Sequence, residues 1–337
     1  MIISVILPVY NKAQYVSNML SDIQQQSFRD FECLVIDDGS TDGSEDICDE
    51  FAKNDSRFQV FHIANGGVSH ARNVGLDHAS AEYITFVDAD DRLDINYLLY
   101  LYQDMIASHA DMVIGNYIRV WRNEQKQIQD LDLDGLYSID DIFPEFVMRQ
   151  EQTGIFGFCW AKLIPRKTIG NIRFNETISL AEDFEFFLHL YSNITTVFFT
   201  PEPLYFYSQF TFNSSQTVDD YAIDYFTQLK IQLYLRELLK GKKVYQNTNK
   251  ILVDQKIEDY FYASIFYCRI IMLPEQIQNL KAIQEDKGIE IKNRKSRARL
   301  KNIILFLYGK NKTTLICLLL IGYRTLRLVT GRRGKHK

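Results

Sequence analysis

Four short segments of this 337-residue chain gather residue types that could do chemistry together. The first is Asp88-Ala89-Asp90-Asp91, in which two carboxylates one residue apart follow the apolar run Ile84 to Val87. Such a pair can offer oxygens to a hard divalent cation, since Mg²⁺ is usually held by one or two carboxylates while water and substrate phosphates complete its shell. The same acids would serve as caps for a helix beginning near Leu93. The second segment is Asp37-Asp38-Gly39-Ser40-Thr41-Asp42. Its glycine and short polar side chains are what any strand-to-helix joint uses, and one of its carboxylates could also accept a hydrogen bond from a base N–H. The third, Asn65-Gly66-Gly67, opens a helix that runs through Arg72-Asn73. Paired glycines there let backbone approach a ligand, and Arg72, about a turn and a half further on, would reach a phosphate. The fourth is Glu182-Asp183, followed by Phe184-Glu185-Phe186-Phe187. Aromatic bulk strips water from an acidic pair and raises a carboxyl toward the range of a general base. A helix N-terminus that simply favours acids explains the pair equally simply.

These segments need a frame, and the first 120 residues supply one. Apolar runs at Ile2 to Leu7, Phe31 to Ile36, Phe58 to Ile63 and Tyr83 to Val87 read as buried strands. Helical stretches at Ala13 to Gln26, Thr41 to Asn54 and Val68 to His78 separate them. Strand–helix alternation at this spacing predicts a mainly parallel α/β sheet with right-handed crossovers. Ligands of such sheets bind beyond the carboxyl ends of the strands, where the acidic and glycine-rich segments fall. Further on the pattern predicts a strand at Met112 to Trp121, a polar loop from Arg122 to Asp134 and a helix at Ile139 to Arg149. It also predicts an amphipathic helix at Leu180 to Tyr191, a turn bracketed by Pro201 and Pro203, and a helical stretch from Val218 to Glu285.

Composition narrows the class. Apolar residues make up 46% and Gly and Pro are sparse at 16 and 6, which excludes collagen-like and broadly disordered chains. Five cysteines without a C-x-x-C pair argue against a zinc site or a disulfide framework, and point to a reducing cytosol. The opening Met-Ile-Ile-Ser-Val-Ile-Leu-Pro lacks a positive n-region and reads as a strand. Neither a dinucleotide G-x-G-x-x-G nor a P-loop occurs.

Taken in order, Val5-Ile6-Leu7-Pro8-Val9-Tyr10-Asn11, Val35-Ile36-Asp37-Asp38-Gly39-Ser40-Thr41-Asp42, Gly66-Gly67-Val68-Ser69-His70-Ala71-Arg72-Asn73 and Phe86-Val87-Asp88-Ala89-Asp90-Asp91 resemble the motifs of glycosyltransferase family 2. Trp160-Ala161-Lys162 and Glu182-Asp183 extend the resemblance, which covers roughly residues 1 to 215. It implies a GT-A fold, dependence on Mn²⁺ or Mg²⁺, and inverting transfer of a sugar from a UDP-sugar. It also implies roles for single residues. Pro8, Val9 and Tyr10 would line the base with their backbone, Asp38 would meet the uracil, and Arg72 would lie near the nucleotide. Asp88, with Ala89 in the same donor-binding set, would approach the ribose; Asp90, together with Asp88, would hold the metal. Asp183 would deprotonate the acceptor hydroxyl. One departure stands out: Ser208-Gln209 occupies the place where many members carry an Arg, which puts a cationic clamp on the diphosphate from that loop in doubt.

The net charge of −5 conceals an asymmetry. Residues Lys292 to Lys337 carry fourteen Lys or Arg and no acid, while the rest holds 24 basic and all 43 acidic residues, a net of −19. Short apolar stretches at Ile303 to Tyr308 and Leu315 to Tyr323 are well below the roughly 20 residues of a spanning helix. Interleaved with cations, they fit an interfacial segment drawn to anionic lipid. A packing arm is the competing account, and nucleic acid is disfavoured because stacking aromatics are few there. The expected organisation is a GT-A catalytic domain over residues 1–215, a mixed α/β sheet with helices on both faces. A helical region over 216–291 and a basic amphipathic tail over 292–337 follow it. The expected activity is sugar transfer to a lipid-linked or protein-linked glycan, in the cytoplasm or on the inner face of the membrane. The rival reading is an inactive nucleotide-sugar-binding or scaffold protein of the same fold.

Overall fold

The structure, a computed structural model, describes residues 1–121, 126–129, 132–209 and 225–266. The tail from Lys292 onward therefore lies outside the described residues, as does the expected helical stretch beyond 266. The chain divides into two units, whose described parts are residues 1–209 with Tyr234–Val253, and residues 225–233 with 254–266.

The first unit is built on a sheet whose strands begin with β1 (Ile3–Val9), β2 (Phe31–Asp37), β3 (Phe58–His62) and β4 (Tyr83–Phe86). β1 and β2 are buried along nearly their whole length, as strands covered on both faces must be. Between them run α1 (Val16–Gln24), α2 (Ser44–Asn54) and α3 (Val68–His78). The four strands pair in parallel in the order β3-β2-β1-β4. Val9 stands opposite Asp37, and Asp37 opposite His62, so the carboxyl ends share one edge.

The remaining elements are β5 (Arg92–Leu93), α4 (Tyr97–Ser108), β6 (Val113–Trp121), β7 (Lys126–Gln129), β8 (Gly135–Ser138), α5 (Ile139–Ile142) and α6 (Phe146–Thr153). After them come β9 (Lys162–Pro165), α7 (Arg166–Ile169), α8 (Glu182–Asn193), β10 (Thr196–Gln209), α9 (Tyr225–Gly241) and α10 (Asn247–Phe266). β9 joins antiparallel between β4 and β6, and β10 runs parallel to β6. The sheet is therefore mixed, with helices packed against it and a helical region after it.

Several boundaries depart from the sequence reading for identifiable reasons. Pro144, with no N–H to donate, breaks the helix expected at Ile139 to Arg149 into α5 and α6. The expected polar loop at Arg122 to Asp134 contains β7, which pairs with β6. The helix expected near Leu93 starts at Tyr97, because Arg92–Leu93 pairs with β10. Pro201 and Pro203 do not bracket a turn. β10 runs straight through them with register shifts against β6, a bulge being where a strand tolerates proline.

In α10 the buried residues Asn249, Val253, Ile257 and Phe261 recur every four positions, and in α9 Leu235 and Leu239 do the same. That is the period of a helix burying one face.

Candidate active site at the carboxyl edge of the sheet

The loop after β1 is locked to the loop after β2. Val9 O accepts from Asp38 N at 2.8 Å, and Asn11, in the left-handed region at φ 51°, accepts from Thr41 N through its side chain at 2.9 Å. Asn11 N donates to Ser40 Oγ, Lys12 N to Ser44 Oγ and Ala13 N to the Asp42 carboxylate. Pro8 is partly exposed, Val9 buried, and the Tyr10 ring is 49% exposed at this edge.

Asp38 is buried and its carboxylate closes the third loop. Gly66 N and Gly67 N donate to its two oxygens at 2.7 and 2.9 Å. Gly67 has φ 88°, a conformation that favours glycine. Asn65 Nδ2 also donates to Oδ2 at 3.2 Å, so Oδ1 is the oxygen left with acceptor capacity for a base N–H.

Arg72 is buried on α3 and its guanidinium joins two acids far apart in sequence. Nη1 donates to Glu182 at 2.9 Å and Nη2 meets Asp88 at 3.3 Å, while Cζ lies 5.4 Å from the centre of the Phe174 ring. The reach toward a phosphate expected for Arg72 is thus taken by carboxylates in this structure. The same contact brings the start of α8 to the loop after β4, gathering Arg72, Asp88, Glu182 and Asp183. Neighbouring Asn73 fixes the intervening chain: its amide donates to Phe174 O and Glu176, and its oxygen accepts from Phe174 N.

Asp183 is the second residue of α8, after Ala181 at φ 59°. One carboxylate oxygen accepts from Phe184 N at 2.7 Å. Burial, then the like charge of Glu182, pushes this carboxyl up to about 7, against the opposing pull of Arg72. Burial likewise raises Asp88, with Arg72 opposing.

The loop Asp88–Asp91 is anchored from behind. Tyr205 OH accepts from Asp88 N at 3.1 Å and donates to Asp91 at 2.7 Å, and Ser208 N donates to the other Asp91 oxygen at 2.7 Å. Burial and the charges of Asp88 and Asp90 drive the Asp91 carboxyl well upward. Trp160 is buried and stacks on Tyr205 at 4.6 Å, so it is a core residue supporting that hydroxyl and does not face the crevice. Ala89 is buried within the loop. Asp90 points to the loop after β1, where Lys12 Nζ lies 2.5 Å from its Oδ2.

Among the described residues no cluster of three or more His, Cys, Asp and Glu side chains is assembled to hold a metal. Asp88 and Asp90 alone offer hard oxygen ligands, the set that suits Mg²⁺ or Mn²⁺ when a diphosphate completes the shell. A cation already stands against Asp90, the Lys12 ammonium, so the donor set fits the group.

Four residues that organise the site carry no role in the sequence reading: Lys12, Asn73, Asp91 and Tyr205. Lys12, Asn73 and Asp91 adjoin or end the motifs, but nothing in a linear string shows which partner each one meets.

Residues 4–165, just under half of the chain, match the model for glycosyl transferase family 2. It is 44% identical over 117 residues to glycosyltransferase GlyG of Streptococcus pneumoniae, an overlap of 34% of this chain and 39% of GlyG. It is 34% identical over 178 residues to GlyA of the same organism, covering 51% of this chain and 26% of GlyA. The chain thus spans well under half the length of these relatives. Among solved structures, S. aureus TarS in complexes with UDP and with UDP-GlcNAc superposes with a TM-score of 0.62 at 18% identity, over 96% of this chain and 92% of that one. The likeness is one of fold: this is the GT-A sheet.

Proposed function

We propose that this chain is an inverting glycosyltransferase that moves a sugar from a UDP-sugar to a hydroxyl of a glycan acceptor, with Asp183 as the general base. One observation carries the reading: the Arg72 guanidinium links Asp88 and Glu182, so the carboxyl beside Glu182 stands within one side chain of the donor-side loop. The match of residues 4–165 to the family model and the fold shared with a UDP-binding protein support the choice of donor.

The Pro8–Tyr10 edge and Asp38 receive the base, and Asp88, with Ala89 behind it, takes the ribose. Asp90 and Asp88 would hold Mn²⁺ or Mg²⁺, which supplies charge neutralisation of the departing diphosphate. Arg72 stays near the nucleotide as the cation that keeps Asp88 and Glu182 together. The acceptor oxygen attacks the anomeric carbon, the bond to the diphosphate oxygen breaks, and the hydroxyl proton passes to Asp183. A carboxyl held at about 7 takes that proton near neutral pH. A single displacement needs only this one base, which inverts the anomeric centre. The acceptor is a lipid-linked or protein-linked glycan in bacterial surface polysaccharide or glycoprotein synthesis. The basic tail binds the inner membrane surface at which such an acceptor is made.

A UDP-release assay over UDP-Glc, UDP-Gal, UDP-GlcNAc and UDP-GalNAc with Mn²⁺ tests the proposal. At least one donor is consumed, faster with acceptor present. Tight UDP binding with no donor cleaved would make the chain a nucleotide-sugar-binding protein.

A further inference from the structure

Lys12 has no role in the reaction as derived so far, yet its ammonium sits on the carboxylate assigned to the metal. Nζ lies 2.5 Å from Asp90 Oδ2, and the two side chains are only 23% and 18% exposed. The backbone beneath Lys12 is fixed. Its N–H donates to Ser44 Oγ, and Ser44 Oγ in turn donates to Asp42 at 2.5 Å. Its carbonyl accepts from Tyr15 and Val16, opening α1. The flanking residues Asn11 and Ala13 are tied to Ser40, Thr41 and Asp42. Only the four-carbon stem is left to move, and a lysine ammonium on such a stem is a mobile point charge. Its base lies two residues past Tyr10, between the edge that receives the nucleoside and the loop that receives the metal.

Two cations cannot share one carboxylate oxygen without repelling each other. A divalent ion arriving at Asp90 therefore displaces the ammonium. In a half-buried crevice a displaced ammonium needs a new anion, and the incoming diphosphate is the anion that arrives together with the metal. We infer that Lys12 is a further donor-binding residue: it neutralises Asp90 in the empty enzyme and transfers to the donor diphosphate when a divalent cation takes Asp90. This supplies the diphosphate with a protein cation from the loop after β1, where the segment around Ser208 has none. The inference rests on the reading of Asp90 as a metal ligand.

Its signature is a pair of effects of opposite sign. Without nucleotide Lys12 competes with the metal; with nucleotide it cooperates. Lys12→Met and the more polar Lys12→Gln, made in the full chain, should bind Mn²⁺ alone more tightly, as read by electron paramagnetic resonance of the free ion. The same variants should bind UDP more weakly at saturating Mn²⁺, as read by titration calorimetry. Both changes are expected at roughly fivefold or more, the lower end of ordinary coupling between sites. Asp90→Asn, measured alongside, should lose Mn²⁺ binding. If Asp90→Asn loses Mn²⁺ while both Lys12 variants leave the two affinities unchanged or move them in the same direction, the transfer is refuted and the metal assignment stands. If Asp90→Asn keeps wild-type Mn²⁺ binding, the metal assignment and the inference fail together.

Discussion

Two titratable residues show how environment changes ordinary side chains. The Asp183 carboxyl is raised to about 7 in the folded chain from an ordinary value of 3.8. Stability from a raised group is fully present below the unfolded value and is lost as pH rises through the folded one. Asp183 therefore opposes folding at neutral pH, the penalty expected where a base is kept ready for protons. Lys162 is the opposite case. It is completely buried, and burial lowers its ammonium to about 7 from 10.5. Its Nζ donates to Ile155 O and Phe158 O, two acceptors that suit the two N–H bonds of a neutral amine. This holds the turn that crosses over Phe184, since a Cβ on Gly157 would meet Phe184 Cβ at 3.3 Å. Lys162→Met leaves two buried carbonyls unpaired and should cost about 1–3 kcal/mol in urea unfolding at alkaline pH. A depressed group has its full stabilisation above the unfolded value of 10.5 and loses it as pH falls toward the folded one, so the gap from wild type should narrow between those values and stay constant below about 7.

At the scale of elements, α3 is the part that makes the site one object. It packs on β1 and β2, and a Cβ on Gly75 would run into the Ile6 side chain, so its face cannot drift. From that fixed helix Arg72 and Asn73 hold Phe174, Glu176 and Glu182. Asn73→Ala removes three hydrogen bonds to this segment. It should speed hydrogen exchange across residues 174–182 and lower kcat roughly tenfold, while exchange in β1 and β2 stays slow. Unchanged exchange there would show that Asn73 does not hold this segment. The parallel strands were legible because their apolar runs are short and end in turn residues. The break at Pro144 was also written in the chain, but the helical period around it masks it. β7 was not legible: Lys126-Gln127-Ile128-Gln129 forms a strand only because β6 offers it an edge. The carboxylates of the site were visible as residue types. Their convergence was not, because Arg72 meets its partners across 16 and 110 positions of chain.

For the whole molecule, charge is unevenly divided. The sheet and its crevice belong to the acidic body of net −19, whereas the last 46 residues carry +14. No helix among the described residues is long and apolar enough to cross a membrane. Attachment through the fourteen cations of the tail would be electrostatic, at about 1 kcal/mol per cation near an anionic surface. The full chain should float with vesicles containing phosphatidylglycerol, stay behind with purely zwitterionic ones, and be released by high salt. Equal flotation on both vesicle types would mean that the cations do not bind lipid.

The claim on which the rest depends is that Asp183 removes the acceptor proton, and steady-state turnover of Asp183→Asn on the consumed UDP-sugar tests it. The variant should fold with a melting temperature no lower than wild type and transfer sugar about 10²–10⁴-fold more slowly. Wild-type kcat/KM should itself fall as pH drops through about 7. A folded Asp183→Asn chain with wild-type turnover would contradict the account.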